Sequence, residues 1–386
     1  MRKKIIIIVI MIIIIILGIL LNNKNIFSNV EESKSAQEEI PIAQQNLTID
    51  EKVDKIVASM SKTEKIGQMV MIGIQGTKVD DNSLYMLHQF HMGGVILFDR
   101  NMESPEQVKQ LTSDLQSQSN EKVPLFIGID EEGGDVVRMA EKLTPPPSQK
   151  EIGATGDIEQ AKTWAIKTAK SLKDMGINVN FAPVADVGSN DKRSYSTDAN
   201  TVIDFVRAAT KGYQQENIIY SLKHFPGIGK GKVDSHVDSS SIDVAKEVLM
   251  TEDIIPFKTI IDENDPNDYF ILVSHLKYPA LDEEYPASLS SKIMTDLLRN
   301  ELGYKGIIIT DDMEMGAVAN HNDFRSIGVN AVKAGADIVL VCHEYKHQQE
   351  VYLGLLDAVN SGEISQERID ESVKRIIKVK LLQLYQ

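Results

Sequence analysis

Eight apolar runs of strand length punctuate the chain, separated by stretches with a different rhythm. The runs are QMVMIGI (68–74), GGVILF (93–98), PLFIGID (124–130), NVNFAPVADV (178–187), IIYSLKHF (218–225), YFILVSHL (269–276), GIIITDD (306–312) and ADIVLVCH (336–343). Between them lie segments such as SPEQVKQLTSDLQSQ and IEQAKTWAIKTAKSLKDMG, whose apolar residues recur every three or four positions, as on an amphipathic helix. The strand runs are apolar throughout rather than alternating, which suits a parallel sheet buried on both faces. Eight such strands with helices between them predict an α/β protein with a (β/α)8 barrel; a doubly wound open sheet is the runner-up.

The pattern also sets the expected boundaries. Helical spacing of Val53, Ile56, Val57 and Met60 starts the folded unit near Ile49, and one catalytic domain is expected over 49–386, with no room for a second. Residues 22–48 are polar and poor in aromatics, as in a flexible linker. Residues 1–21 open with MRKK and continue as an unbroken apolar run from Ile5 to Leu21, the pattern of a signal peptide or an uncleaved anchor. No small-residue cleavage site follows, so an anchor is favoured, with the bulk of the chain outside. An extracellular or cell-surface location is therefore expected.

Composition narrows the partners. The formal net charge of −15 argues against nucleic acid and anionic lipid surfaces, leaving the N-terminal segment as the expected membrane contact. The single cysteine, Cys342, excludes a disulfide within the chain and a cysteine-based zinc site. A monomer is expected.

A barrel carries its chemistry at the C-terminal ends of its strands. Polar residues cluster there: Asp130 after the third run, Asp186 in the fourth, Lys223 and His224 in the fifth, His275 in the sixth, Asp311 and Asp312 in the seventh. Any one of these could simply cap a helix. Asp312 is assigned that role, and Asp311 is the better candidate for chemistry. In IDEEGGDVVRM (129–139), Gly133 and Gly134 permit close backbone approach, and Arg138 returns towards Asp130. An aspartate steadied by an arginine suits the gripping of sugar hydroxyls; a structural ion pair is the simpler reading.

The loop KHFPGIGKGKVDSH (223–236) fails as a phosphate cradle, because neither Lys230 nor Lys232 is followed by Ser or Thr. A metal site from His224, Asp234 and His236 would ask fixed ligands of a glycine-rich segment. A catalytic arm in which Asp234 holds His236 as a proton donor fits better. HEYKH (343–347) matches the zinc-protease pattern formally, but His343 directly follows a strand, whereas the motif works within a helix. No metal and no cofactor is expected.

Taken together, EKIGQM (64–69), GGVILF, IDEEGGDVVRM, NFAPVADV (180–187), KHFPG with its DSH, and ITDDMEMGA (309–317) resemble glycoside hydrolase family 3, most closely its single-barrel β-N-acetylhexosaminidase branch. The resemblance covers nearly the whole chain after about residue 48. It implies that Asp311 is the nucleophile, His236 the acid/base with Asp234 as its partner, and that Asp130, Arg138, Arg193, Lys223 and His224 bind the sugar. Ile228 departs from the histidine often found there, which bears on the loop's conformation. The implied activity is a retaining, exo-acting β-N-acetylglucosaminidase on glycans with terminal GlcNAc, such as GlcNAc-MurNAc fragments of peptidoglycan. The alternatives are a β-N-acetylglucosaminide phosphorylase, a β-glucosidase, and a non-catalytic binder of wall fragments.

Overall fold

The structure, a computed structural model, describes residues 47–119, 123–140, 143–188, 192–231, 240–320 and 322–385. The run Ile5–Leu21, the linker up to residue 46 and the pair Asp234 and His236 lie outside the described residues. Among the described residues no helix is long and apolar enough to cross a membrane.

The chain divides into two units, Met1–Glu51 and Lys52–Gln386. In the first, Thr48 and Glu51 cap each other reciprocally. The Thr48 N–H donates to Glu51 Oε2 at 2.8 Å and the Glu51 N–H to Thr48 Oγ1 at 3.3 Å. That cap opens the helix Ile49–Ser59.

The second unit holds a closed barrel of eight parallel strands in sequential order. They are β1 (Val70–Gly73), β2 (Gly94–Leu97), β3 (Phe126–Ile129), β4 (Val179–Asn180), β5 (Ile219–Phe225), β6 (Tyr269–Val273), β7 (Ile307–Asp312) and β8 (Ile338–Val341). β1 closes on β8 in register, Met71 opposite Leu340. The barrel was expected because the strands are apolar on both faces, and nearly every strand residue is indeed buried.

Side chains fill the interior, and glycines make room for them. A Cβ on Gly128 would stand 2.7 Å from Met71 Cε and 2.9 Å from Phe181 Cε2, so this position is glycine for volume. β4 is shorter than its apolar run. Pro183 has no N–H to offer the ladder, and pairing thins to the bridge between Val184 and Lys223. The segment is still pinned to β5 by the Ala185 N–H, which donates to the Lys223 carbonyl at 2.7 Å.

A charged clamp closes the opposite end of the barrel. Asp337, fully buried just before β8, receives Arg299, Arg375 Nη1 at 3.0 Å, Ser372 Oγ at 2.5 Å and the Ile308 N–H at 2.9 Å. Arg368 Nη1 lies 3.9 Å away. Replacing a buried charge partner strands the cations around it, so Asp337→Asn is expected to cost about 3–5 kcal/mol. Urea denaturation of the variant and the wild type checks this; equal midpoints would contradict it.

Candidate active site

The strand ends deliver the candidate residues to one place. Asp130, Arg138, Arg193, Lys223, His224 and Asp311 all line a single cavity of about 320 Å³ at the C-terminal mouth of the barrel. That volume is at the small end for ligand pockets. The floor is apolar, with Ile96, Phe181, Leu272 and Leu340, and Phe98, Val136, Ile228 and Met315 add apolar walls.

Along one wall, acids and bases alternate in a continuous chain. Asp130 Oδ1 takes a hydrogen bond from Lys223 Nζ at 2.6 Å, and Glu132 Oε1 takes a second from the same nitrogen at 2.6 Å. Glu132 then holds Arg193 in a fork, Oε2 receiving Nε at 2.8 Å and Oε1 receiving Nη2 at 2.7 Å. Arg193 Nη2 reaches His224 Nε2 at 2.9 Å, and His224 Nδ1 meets Asp186 Oδ2 at 2.8 Å. A guanidinium can only donate, so His224 accepts on Nε2 and its Nδ1–H points to Asp186. Asp186 Oδ1 also receives the Ile228 N–H at 2.9 Å, which fixes the start of the loop after β5.

Lys223 is desolvated, which alone would lower its pKa. Asp130 and Glu132 outweigh that, and it is raised and stays an ammonium. Glu132 is equally buried, but Lys223 and Arg193 hold it well below the usual carboxylate range.

Asp311 stands near the end of β7, half-buried in the cavity wall. Burial pushes its carboxyl up. The Asp312 N–H at 2.9 Å and the Lys223 ammonium pull it down, and any positive charge on the His275 and His224 imidazoles adds to that pull. The net shift is downward, so Asp311 is a carboxylate at neutral pH.

Arg138 is the least satisfied cation in the cavity. It approaches Asp99 at 3.5 Å and Asp130 at 3.8 Å, and its buried Nε has no hydrogen-bond partner among the described residues. Such a group favours an incoming acceptor, such as a hydroxyl oxygen. Arg138 is carried back to Asp130 by the turn at Gly133 and Gly134, whose φ angles are 108° and 61°. A Cβ on Gly133 would sit 2.3 Å from the Pro147 carbonyl oxygen, so the close approach expected here is present.

Two expectations need amending. Asp312 caps no helix: its Oδ1 receives the N–H groups of Glu314 and Cys342, each at 3.1 Å, and His343 Nε2 lies 3.2 Å from Oδ2. It ties the end of β7 to the end of β8, a partnership between distant segments. His275 follows β6 but is buried. Its Nε2–H donates to the Asp312 carbonyl at 2.8 Å, and Ser288 Oγ bonds Nδ1 at 2.7 Å. Glu132 was missed altogether, although EEGG at a strand end was a local signal that a second acid faced the mouth.

In HEYKH, His343 precedes the helix Tyr345–Ser361 and His347 falls in its first turn, bonded to Glu314 at 2.6 Å. Among the described residues no group of three or more His, Cys, Asp or Glu side chains is arranged to hold a metal ion.

Behind Asp130, Glu131 is buried with its Oε2 accepting the Arg138 N–H at 2.7 Å. Desolvation outweighs that bond and raises its pKa from 4.5 to about 7. The folded protein therefore holds a proton that the unfolded chain has released, and stability falls as pH rises from 4.5 to about 7. Glu131→Gln removes this term. Its stability relative to wild type should improve by about 3 kcal/mol between pH 4.5 and 8, measured by denaturation at both. Parallel pH dependences would contradict the assignment.

A closed parallel barrel whose strand ends gather carboxylates, cations and an apolar floor into one small mouth defines a (β/α)8 enzyme site. Residues 61–379 match the Glycosyl hydrolase family 3 N terminal domain, and the chain belongs to that family. A relative named beta-hexosaminidase A, from Pseudoalteromonas piscicida, is 35% identical over 326 residues, 76% of this chain and 54% of its own. The chain thus spans about half the length of that relative. A beta-hexosaminidase from Nitrosomonas eutropha is 31% identical over 318 residues, 79% of this chain and 90% of its own. Among solved structures, a family 3 β-N-acetylglucosaminidase from Paenibacillus sp. str. FPU-7 superposes with a TM-score of 0.81 at 37% identity, covering 84% of this chain and 63% of that one.

Proposed function

We propose that this protein is a retaining, exo-acting β-N-acetylglucosaminidase that releases terminal β-linked GlcNAc, with peptidoglycan-derived GlcNAc-MurNAc fragments as substrates. The observation that carries the reading is Asp311: a carboxylate held ionised in a small closed-ended mouth, facing a wall of paired cations and acids. The names of the relatives favour an N-acetylhexosamine over glucose.

Asp130, Arg138 and Lys223 grip the hydroxyls of the terminal sugar, which aligns its anomeric carbon over Asp311. The Asp311 carboxylate attacks that carbon and the bond to the leaving oxygen breaks, giving a glycosyl-enzyme. The proton for the leaving oxygen is assigned, through the family resemblance, to His236 with Asp234 as its partner. The same imidazole then takes a proton from water, which releases the sugar with its configuration retained. The basic start and the run Ile5–Leu21 favour an enzyme held at or released from the outer cell surface.

Parallel assays on aryl β-GlcNAc and aryl β-glucoside test the substrate assignment. Preference for the N-acetylated substrate is expected; equal rates, or preference for the glucoside, would overturn it.

A further inference from the structure

We propose that Glu132 is the positioning residue of this site. It does not touch the sugar, but it fixes where Lys223 and Arg193 stand and, through Arg193, which nitrogen of His224 carries the proton. The inference rests on the reading above of the cavity as a sugar site.

The side chain is 2% exposed; it borders the cavity, but its carboxylate is turned to the protein's own cations. Both of its oxygens are bonded: Oε1 is shared by Lys223 Nζ at 2.6 Å and Arg193 Nη2 at 2.7 Å, while Oε2 takes Arg193 Nε at 2.8 Å. A fork bonded at both prongs cannot rotate, so the guanidinium has one orientation. That orientation sets its third contact, the donation to His224 Nε2 at 2.9 Å. His224 is thereby left with its proton on Nδ1, facing Asp186.

Three chain segments meet at this one carboxylate: the turn after β3, the loop after β4 and the end of β5. Lys223 would remain beside Asp130 without Glu132, but Asp130 alone is a single tether at 2.6 Å. Arg193 would lose both prongs of its fork. Glutamine has the same shape yet offers one acceptor and an NH2 group, which must point at one of the two cations.

When a ligand is gripped equally in the ground and transition states, loosening the grip raises KM and leaves kcat unchanged. Glu132→Gln is therefore expected to lower kcat/KM on aryl β-GlcNAc by about 100-fold, mostly as a rise in KM, in a protein that remains folded. Lys223 keeps its bond to Asp130 without Glu132, so most of the loss runs through Arg193, and the double variant E132Q/R193M should lose no more than a few-fold beyond R193M alone. The same cycle is read independently as the Kd for GlcNAc by calorimetry, which requires no turnover. Glu132→Asp keeps the charge but not the reach, and an approximately 10-fold loss is expected, so the proposal stays open to test if E132Q fails to fold.

Folded E132Q with kcat/KM and Kd within three-fold of wild type, or losses that multiply in the double variant, would overturn the positioning role. So would wild-type values from E132D. If wild type neither turns over aryl β-GlcNAc nor binds GlcNAc, the sugar-site reading falls and the positioning role falls with it. If it binds without turnover, the functional reading fails while the coupling among Glu132, Arg193 and ligand is still measured.

Discussion

Asp311→Asn is expected to lower kcat on an aryl β-GlcNAc by at least about 1,000-fold while the protein stays folded. The substitution keeps shape and removes the negative charge that attacks. Its neighbour cannot stand in, because Asp312 is engaged by the N–H groups of Glu314 and Cys342 and faces His343. The pKa of Asp311 is lowered, so loss of the carboxylate by protonation is not expected to limit wild-type activity anywhere above its unshifted value of 3.8. Steady-state kinetics beside circular dichroism checks the effect. Activity at wild-type level in D311N would remove Asp311 from the mechanism.

Lys223→Met is expected to have the next largest effect, and on two readouts together. The ammonium, 3% exposed, stands between Asp130 and Glu132 and joins the two. Removing it leaves two carboxylates in a desolvated wall, at a cost of about 3–5 kcal/mol in stability. It also frees Asp130, so kcat/KM is expected to fall about 100-fold or more. Denaturation and kinetics measured on one preparation separate the two effects. A destabilised variant with unchanged kcat/KM would make Lys223 structural only.

The barrel was legible because its signal is local: each strand announces itself by a short run of apolar residues, and most runs carry polar residues near their ends that the topology must bring together. Asp130, Lys223, His224 and Asp311 could be named from that rule alone. What the sequence hid depends on pairing through space. Glu132 lies 61 residues from Arg193 and 91 from Lys223, and nothing in the turn EEGGD announces partners that far away. Asp312 looked like a helix cap because caps are short-range; one of its bonds is indeed local, to the Glu314 N–H, but the other runs to Cys342 at the neighbouring strand end. The fourth apolar run reads as one long strand, yet Pro183 within it limits the ladder to two residues before a single bridge.

The central claim is double displacement through Asp311, and the anomeric form of the first product tests it most directly. Proton NMR recorded during the first minutes of hydrolysis of aryl β-GlcNAc, in phosphate-containing buffer, should show β-GlcNAc appearing first and the α anomer only later by mutarotation. Initial release of α-GlcNAc would contradict double displacement, and release of GlcNAc-1-phosphate would contradict water as the acceptor.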